Sequence, residues 1–299
     1  MRIVMIILSL LELGRPLNAV LGVLALFLGL AIMTGDIPVF IPLGDALAIT
    51  VAGLMIVFSI MTINDVFDVE ADKLNTPWRP IPSGRIDIHT ALRASLVYAI
   101  IGLTSTLNVQ PVPLTTITAL YFLALANFYN AIGKKILLIG NIIVAFLTAF
   151  PLVYGVVLAN YYLPGEWSSS DYMRAFLYWL MIFLSVLGRE IAKGIIDVEG
   201  DLKVGVKTIA NTYGENTAAK LALTLYISSV TISLIPPILG VVNSIPYLTV
   251  IIPIDIIVVY ESIKLVRSPT KVEILNHKKR VLILMFISMI GLYLGSHGV

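Results

Sequence analysis

Long apolar runs dominate the chain, and its polar positions fall into short segments between those runs. Nine runs come close to the length of about 20 residues that a membrane-spanning helix needs. Residues 1–14 are also apolar but run into Glu12 and Arg15, and they predict a short interfacial helix before the first span. The pattern predicts an all-α polytopic membrane protein with nine transmembrane helices. These are residues 17–34, 44–64, 89–107, 112–130, 137–160, 173–196, 216–240, 245–265 and 279–297.

Composition supports a membrane protein and excludes several other classes. Hydrophobic residues make up 58% of the 299 positions and charged residues only 13%, whereas a soluble domain carries about 25% charge. The absence of cysteine excludes disulfides and thiolate metal sites. A formal net charge of +2 gives no reason to expect a nucleic-acid partner.

The basic residues predict the orientation of the spans. With nine spans, Arg174 falls on the opposite side from all the other lysines and arginines. Basic residues concentrate in cytoplasmic loops. The N-terminus and the loops after the second, fourth, sixth and eighth spans are therefore predicted to be cytoplasmic, and the C-terminus external.

Two acidic clusters follow the second and the sixth predicted spans, both at the cytoplasmic face. Asp65, Asp68 and Asp72 would lie within about 60° of one another on a helix. Asp197 and Asp201 repeat the four-residue spacing and form a weak internal repeat. Mg²⁺ suits such carboxylates because it prefers oxygen ligands and leaves coordination positions open for phosphate. Two facing clusters would bridge Mg²⁺ ions to a diphosphate.

Zinc is a poor fit for this chain because zinc prefers cysteine and histidine ligands, and the three histidines are scattered. Basic residues accompany the acidic clusters and suit a polyphosphate. Arg189 and Lys193 precede Asp197 at four-residue steps, which predicts a shared broad helix face. The other basic candidates near the clusters are Arg79, Arg85 and Lys134.

Several of these residues also have structural interpretations. The acidic clusters could mark a charged membrane–water boundary, and Arg15 with Asn18 could be an interfacial anchor instead of part of a site. Lysines 134, 135, 278 and 279 and Arg280 could all be positive-inside anchors, an interpretation favoured for residues 278–280. Asp255 lies in mid-span, where an acid is functional by default, but a structural role is favoured because it lies away from the cytoplasmic face.

The pattern Asn64-Asp65-x-x-Asp68-x-x-x-Asp72, the later Asp197-x-x-x-Asp201 and the nine spans together resemble the UbiA superfamily of intramembrane prenyltransferases. The resemblance covers nearly the whole chain. It implies a single domain over residues 1–299, with helices around a central cavity and cytoplasmic cap loops near residues 65–88 and 197–215. The family's Tyr-x-x-x-Lys element corresponds to Tyr129 and Lys134, here one residue further apart.

The resemblance and the charge pattern together assign roles to the candidate residues. Metal binding falls to Asp65, Asp68, Asp72, Asp197 and Asp201. Catalytic roles fall to Asp68, Asp72, Asp201 and Lys193. Substrate binding falls to Arg15, Asn18, Asn64, Arg79, Arg85, Tyr129, Lys134 and Arg189. The implied cofactor is Mg²⁺ as two ions, and the implied partners are an isoprenyl diphosphate donor, a lipid-soluble acceptor and membrane lipids.

Within the superfamily, "RPIPSGRI" (residues 79–86) and "GREIAKGIIDVEGD" (residues 188–201) are most similar to the branch that forms the second ether bond of archaeal membrane lipid. This similarity implies transfer of a geranylgeranyl group to geranylgeranylglyceryl phosphate. An aromatic quinone precursor or a tetrapyrrole is the alternative acceptor. The alternative class is an ion-coupled transporter, in which the carboxylates would bind the transported cation.

Overall fold

The computed structural model describes residues 2–35, 40–165 and 167–297, and these residues form helices and no strand. One short 3₁₀ turn, Gly133–Lys135, precedes the seventh helix. The helices are α1 (Arg2–Gly14), α2 (Pro16–Thr34), α3 (Leu43–Phe67), α4 (Val69–Asn75), α5 (Ile88–Thr106), α6 (Val112–Ala131), α7 (Ile139–Tyr162), α8 (Ser169–Lys193), α9 (Val198–Lys203), α10 (Ile209–Tyr213), α11 (Glu215–Ser233), α12 (Ile235–Ile238), α13 (Ser244–Arg267) and α14 (Lys271–Ser296).

Within these described ranges, eight helical segments are long and apolar enough to cross a membrane. They are α2, α3, α5, α6, α7, α8, the α11–α12 segment and α14. The chain is therefore a multi-pass membrane protein, and the all-α prediction is confirmed. The predicted eighth span, residues 245–265, forms α13, a helix of 24 residues that is not among the eight. This helix carries Asp255 and Glu261 and ends in Arg267.

Two of the differences from the predicted boundaries have local causes. Helix α8 begins at Ser169 because Ser168 and Asp171 form a reciprocal capping box, which satisfies free backbone donors of the first turn. It ends at Lys193, three residues earlier than predicted. The seventh predicted span divides into α11 and α12, with Pro236 and Pro237 in α12. Proline removes a backbone donor and is best tolerated in the first turn of a helix.

The chain divides into two compact units. The first consists of Met1–Val23, Ile41–Ile143 and Glu199–Lys207, and the second of Leu24–Phe40, Val144–Val198 and Thr208–Val299. In the first unit, α3 packs against α1, α5 and α6. The hydroxyls of Ser59 and Ser95 lie 3.2 Å apart in the contact between α3 and α5.

A small apolar core fixes the segment between α4 and α5 in the first unit. Leu13 of α1 packs there with Val69 of α4, with Ile81 and Ile86 of the connecting turns, and with Ala91 of α5. All five side chains are buried. Burial of apolar surface gives this segment a defined position against α1 and α5, and it thereby places Arg79 beside the end of α3.

The second unit contains a close helix crossing and the packed helices α8, α11, α13 and α14. At the crossing of α2 and α7, a Cβ atom on Gly29 would lie 2.0 Å from the carbonyl oxygen of Leu152. A Cβ atom on Gly155 would lie 2.0 Å from the carbonyl oxygen of Leu26. Small residues permit such approaches between membrane helices, where van der Waals packing drives association.

Arg174 is 2% exposed and links three segments of the second unit. Its guanidinium donates to the carbonyl oxygens of Ile32, at 2.6 Å, and Val241, at 3.1 Å. It also donates to the carboxylate of Asp171 at 2.8 Å. The one basic residue predicted to lie on the external side is thus a buried clamp on the end of α2 and the loop before α13.

We expect Arg174→Met to lower the free energy of unfolding by about 3 kcal/mol, because two carbonyl oxygens and Asp171 lose their donor inside the protein. Reversible unfolding in mixed micelles measures this change. Arg267→Met is the matched control, since Arg267 is exposed at the end of α13. An equal loss of unfolding free energy in the two variants would contradict the stabilising role assigned to the hydrogen bonds of Arg174.

Candidate functional site

The first acidic cluster spans the junction of α3 and α4 in the first unit. Helix α3 ends at Phe67, so the single helix predicted through Asp72 is interrupted at Asp68. The backbone bonds still follow the helical pattern: the amide of Asp68 donates to the carbonyl of Asn64, and that of Asp72 donates to the carbonyl of Asp68. Asp65 is 3% and Asp72 6% exposed. Two buried carboxylates therefore require positive partners.

Three basic side chains supply that charge. Arg79 donates to Oδ2 of Asp72 at 2.6 Å, and its Nη1 also lies 3.4 Å from Oδ1 of Asp65. Arg15 donates to Oδ1 of Asp65 at 2.5 Å. Lys134 forms a short ion pair with Asp68. The structure thus brings together six of the residues that the sequence singled out, all within one unit.

Arg15 reaches the cluster through an unusual backbone conformation. It lies between α1 and α2 with a φ of 49°, a left-handed conformation that costs a residue with a side chain free energy. Pro16 then opens α2, where its missing amide hydrogen matters least. This turn places the guanidinium of Arg15 on the carboxylate of Asp65. Asn18 lies half-buried in the first turn of α2.

The partners of Asp72 do not fully stabilise the negative charge of its carboxylate. Burial raises the pKa of its carboxyl group, against the opposing influence of Arg79 and of Thr76, whose hydroxyl donates to Oδ1 at 2.8 Å. A raised pKa means that the charged form is disfavoured relative to water. An additional cation near this carboxylate would stabilise it. Thr76 lies one helical turn after Asp72, a spacing from which the sequence could have indicated it.

The segment "YNAIGKK" (residues 129–135) contributes two side chains to the junction of α3 and α4. Lys134 pairs with Asp68, and Asn130 accepts a hydrogen bond of 2.8 Å from the side chain of Asn64. Asn130 is 1% exposed, and its Nδ2 has no partner among the described residues. A buried donor without an acceptor is costly, and an anionic ligand would satisfy it. Sequence analysis missed Asn130, although an amide in an apolar span is a usable signal.

Tyr129 and Asp201 lie in the same unit as the cluster. A Cβ atom on Gly140 would lie 3.3 Å from the ring of Tyr129, so the ring packs at the start of α7. The amide of Gly200 donates to the side chain of Asn75 at 3.2 Å, and a Cβ atom on Gly200 would lie 2.3 Å from that side chain. Glycine therefore permits α9, which carries Asp201, to approach the end of α4.

The second predicted acidic pair differs from the expected helix geometry. Helix α8 ends at Lys193, and Asp197 precedes α9. The four-residue steps from Arg189 through Lys193 to Asp197 therefore do not share one helix face. Asp197 belongs to the second compact unit and Asp201 to the first.

Arg189, Lys193 and Arg85 bind carboxylates that sequence analysis did not single out. Glu190 of α8 is 8% exposed and accepts from Arg189 at 3.2 Å and from Lys193 at 2.9 Å. Arg85 is bonded to Glu12, at 2.7 Å and 3.0 Å, and so lies outside the cluster at the end of α3. Glu190 lies between the predicted site residues Arg189 and Lys193, so its position in the sequence could have indicated that it pairs with them.

The donor set of the first cluster suits a hard cation. No group of three or more His, Cys, Asp or Glu side chains converges within residues 2–35, 40–165 and 167–297. Arginine side chains pair with Asp65 and Asp72 instead. The bonds that described residues make to Asp65 and Asp68 all fall on Oδ1. Oδ2 of each carboxylate thus retains capacity for a ligand. Carboxylate oxygens with open capacity are what Mg²⁺ binds in phosphate-handling sites.

Comparison with known proteins identifies the class. The UbiA prenyltransferase family matches residues 22–290, which is most of the chain. The chain belongs to this family, as the two acidic motifs predicted.

Curated relatives extend the match to a particular activity. A protein of Methanosphaera stadtmanae named digeranylgeranylglyceryl phosphate synthase is 32% identical over 95% of this chain and 98% of its own length. A protein of Ignicoccus hospitalis with the same name is 36% identical over 75% of this chain and 70% of its own length.

Solved structures share the fold. One solved structure concerns digeranylgeranylglyceryl phosphate synthase in membranes. The protein in that structure is 29% identical to this chain, and the TM-score is 0.70. The match covers 98% of this chain and 99% of that protein chain. A UbiA homolog from Archaeoglobus fulgidus bound to GPP and Mg²⁺ is 16% identical, with a TM-score of 0.64, and the match covers 96% and 99% of the two chains. At 16% identity the second likeness shows the fold alone.

Proposed function

We propose that this protein transfers a geranylgeranyl group from geranylgeranyl diphosphate to geranylgeranylglyceryl phosphate, forming the second ether bond of archaeal membrane lipid. The observation that carries the proposal is the nearly full-length similarity to proteins named digeranylgeranylglyceryl phosphate synthase. The carboxylate and basic side chains at the end of α3 supply the matching chemistry. The proposal includes one functional domain, with this site facing the cytoplasm, the N-terminus inside and the C-terminus outside.

We propose that the enzyme uses two Mg²⁺ ions. Asp65, Asp68 and Asp72 would hold Mg²⁺ in the first unit, which also contains the proposed ligand Asp201. Asp197, in the second unit, stays a proposed metal ligand. Bound Mg²⁺ would offset the negative charge of the leaving diphosphate as a Lewis acid. The open Oδ2 atoms of Asp65 and Asp68 support the assignment. So does the raised pKa of Asp72, whose charged form would gain from a further cation.

The basic partners of these carboxylates would bind the diphosphate itself. Arg15, Arg79 and Lys134 now pair with aspartates, and metal binding to those aspartates would let the same cations pair with phosphate oxygens. The unpartnered Nδ2 of Asn130 is a further donor, held in place by Asn64.

The transfer itself breaks one bond and forms another. The allylic C–O bond of the donor breaks, and the diphosphate leaves with the bonding electron pair. The acceptor hydroxyl oxygen bonds to the freed carbon and loses its proton, which Asp68 or the departing diphosphate accepts. An apolar surrounding would protect the allylic cation from water. In the first unit, Tyr129, Asn18 and Arg85 are proposed to bind substrate. In the second unit, Arg189 and Lys193 are proposed to attract the acceptor phosphate.

A competition assay with purified protein tests this function. Labelled geranylgeranyl diphosphate and Mg²⁺ are supplied together with geranylgeranylglyceryl phosphate and 4-hydroxybenzoate. We expect a diether product from the first acceptor only, and no product when EDTA removes the metal. Formation of prenylated 4-hydroxybenzoate instead would assign the enzyme to quinone synthesis. Ion flux in proteoliposomes without diphosphate release would contradict the enzyme and favour the transporter.

A further inference from the structure

A half-buried lysine in the second unit has no anionic partner within bonding distance. Lys278 lies on α14 within electrostatic reach of Arg189, Lys193, Glu190 and Asp197. In the described part of the chain, it forms no hydrogen bond and no ion pair within 4 Å. Its neighbour Lys279 is exposed. An ammonium group in a partly desolvated position next to two other cations is unfavourable unless an anion joins them.

The buried carboxylate of Glu190 is already occupied. Both oxygens of Glu190 are engaged, Oε1 by Arg189 and Oε2 by Lys193. The Nε–H of Arg189 is buried and has no partner among the described residues. Two donors therefore remain unused in this cluster, the ammonium of Lys278 and Nε of Arg189. Their charge and their free N–H groups suit an oxyanion with several acceptor oxygens.

Contacts of the preceding residue, His277, fix the position of the α14 backbone at Lys278. His277 is 1% exposed, and its Nε2 lies 3.2 Å from the hydroxyl of Tyr226 on α11. The two rings meet edge to face at a centroid distance of 5.5 Å. A Cβ atom on Gly188 of α8 would lie 3.3 Å from the ring of Tyr226. Tyr226 thus contacts both α8 and α14, and it holds the helices that carry the three cations.

We propose that Arg189, Lys193 and Lys278 form a binding site for a phosphate monoester, and that its ligand is the phosphate of the prenylglyceryl phosphate acceptor. The identity of this ligand rests on the proposed function. Lys278 is then a specificity-determining residue, which distinguishes a phosphorylated acceptor from its uncharged counterpart. A lipid headgroup offers the same phosphate chemistry, and the test separates the two sources.

The test measures acceptor binding by titration calorimetry in detergent without any donor. The two ligands are geranylgeranylglyceryl phosphate and unphosphorylated geranylgeranylglycerol. We expect Lys278→Met to weaken binding of the phosphorylated ligand about tenfold to a hundredfold, the effect of losing a charge-assisted bond. Binding of the unphosphorylated ligand should not change. Lys278→Arg should restore most of the affinity, and Lys279→Met is the matched control that should bind both ligands as wild type does.

Three outcomes would overturn the proposal. The first is wild-type affinity of Lys278→Met for the phosphorylated acceptor. The second is an equal loss for both ligands, which would indicate a disturbed fold. The third is an unchanged acceptor affinity together with lost thermal stabilisation by phosphatidylglycerol in nanodiscs, which would assign the site to a lipid headgroup. Binding is measured without turnover, so a protein that binds the acceptor but makes no diether would refute the proposed function and leave the phosphate site intact.

Discussion

Replacing Asp68 with asparagine should reduce turnover about a thousandfold or more while the protein still folds. The variant keeps the size and polarity of the side chain but removes the negative charge proposed to hold Mg²⁺, and metal stabilisation of a leaving group is worth several kcal/mol. Asp68 is the least buried of the three clustered aspartates, with its side chain 26% exposed. Its loss therefore disturbs the fold least. Steady-state turnover with saturating Mg²⁺ measures the effect.

Two further variants distinguish catalysis from folding. Glu70→Gln is the matched control, because Glu70 lies on α4 in the same segment but forms only an exposed pair with Lys73; it should retain turnover within about twofold. The double variant Asp68→Asn with Lys134→Met removes the cation that the single variant leaves unpaired. Recovery of turnover in the double variant would contradict the proposed roles of both residues.

The second large effect should come from the crossing of α2 and α7. We expect Gly155→Ala to lower the free energy of unfolding by at least about 3 kcal/mol, because its Cβ atom would lie 2.0 Å from the carbonyl oxygen of Leu26. Backbone atoms cannot move aside as a flexible side chain can. Yield in detergent and unfolding in mixed micelles both report the loss.

Gly44→Ala provides the comparison for that variant. Gly44 lies in the first turn of α3, and a Cβ atom there would meet nothing within 4 Å. Alanine should be neutral at this position or stabilise the helix by up to about 1 kcal/mol. An equally stable Gly155→Ala protein would show that the two helices do not require this close approach.

The helices were predictable because a membrane imposes a length and an apolar composition on each span. The predicted segment 44–64 lies within α3, and the segment 112–130 within α6. Boundaries moved where local chemistry intervened, as at Ser168, whose capping box starts α8 early. The sequence indicated that Arg174 lies on the opposite side of the membrane from the other basic residues. Its hydrogen bonds to the carbonyl oxygens of Ile32 and Val241 could not be predicted, because those residues are far away in sequence.

The acidic cluster was predictable because its residues are close in sequence, whereas Arg15 and Lys134 pair with aspartates that are 50 and 66 positions away. The spacing of Asp65, Asp68 and Asp72 indicated the cluster, and the structure brings Arg79 and Lys134 to it. Helical periodicity also gave one wrong prediction. The four-residue steps from Arg189 to Asp197 assume one continuous helix, but α8 ends at Lys193. The pair between Asn64 and Asn130 joins α3 to α6. No local pattern reports such a contact.

The proposed function requires that the carboxylates at the end of α3 bind a metal ion together with the donor diphosphate. Electron paramagnetic resonance of Mn²⁺ tests this binding directly, with an uncleavable thiolo analogue of geranylgeranyl diphosphate. We expect tight Mn²⁺ binding that requires the analogue and shows coupling to its phosphorus nuclei. Mg²⁺ should displace the Mn²⁺, and Asp68→Asn should abolish its binding. A Mn²⁺ spectrum that is unaffected by the analogue, or that is the same in the wild type and in Asp68→Asn, would contradict metal binding by these carboxylates.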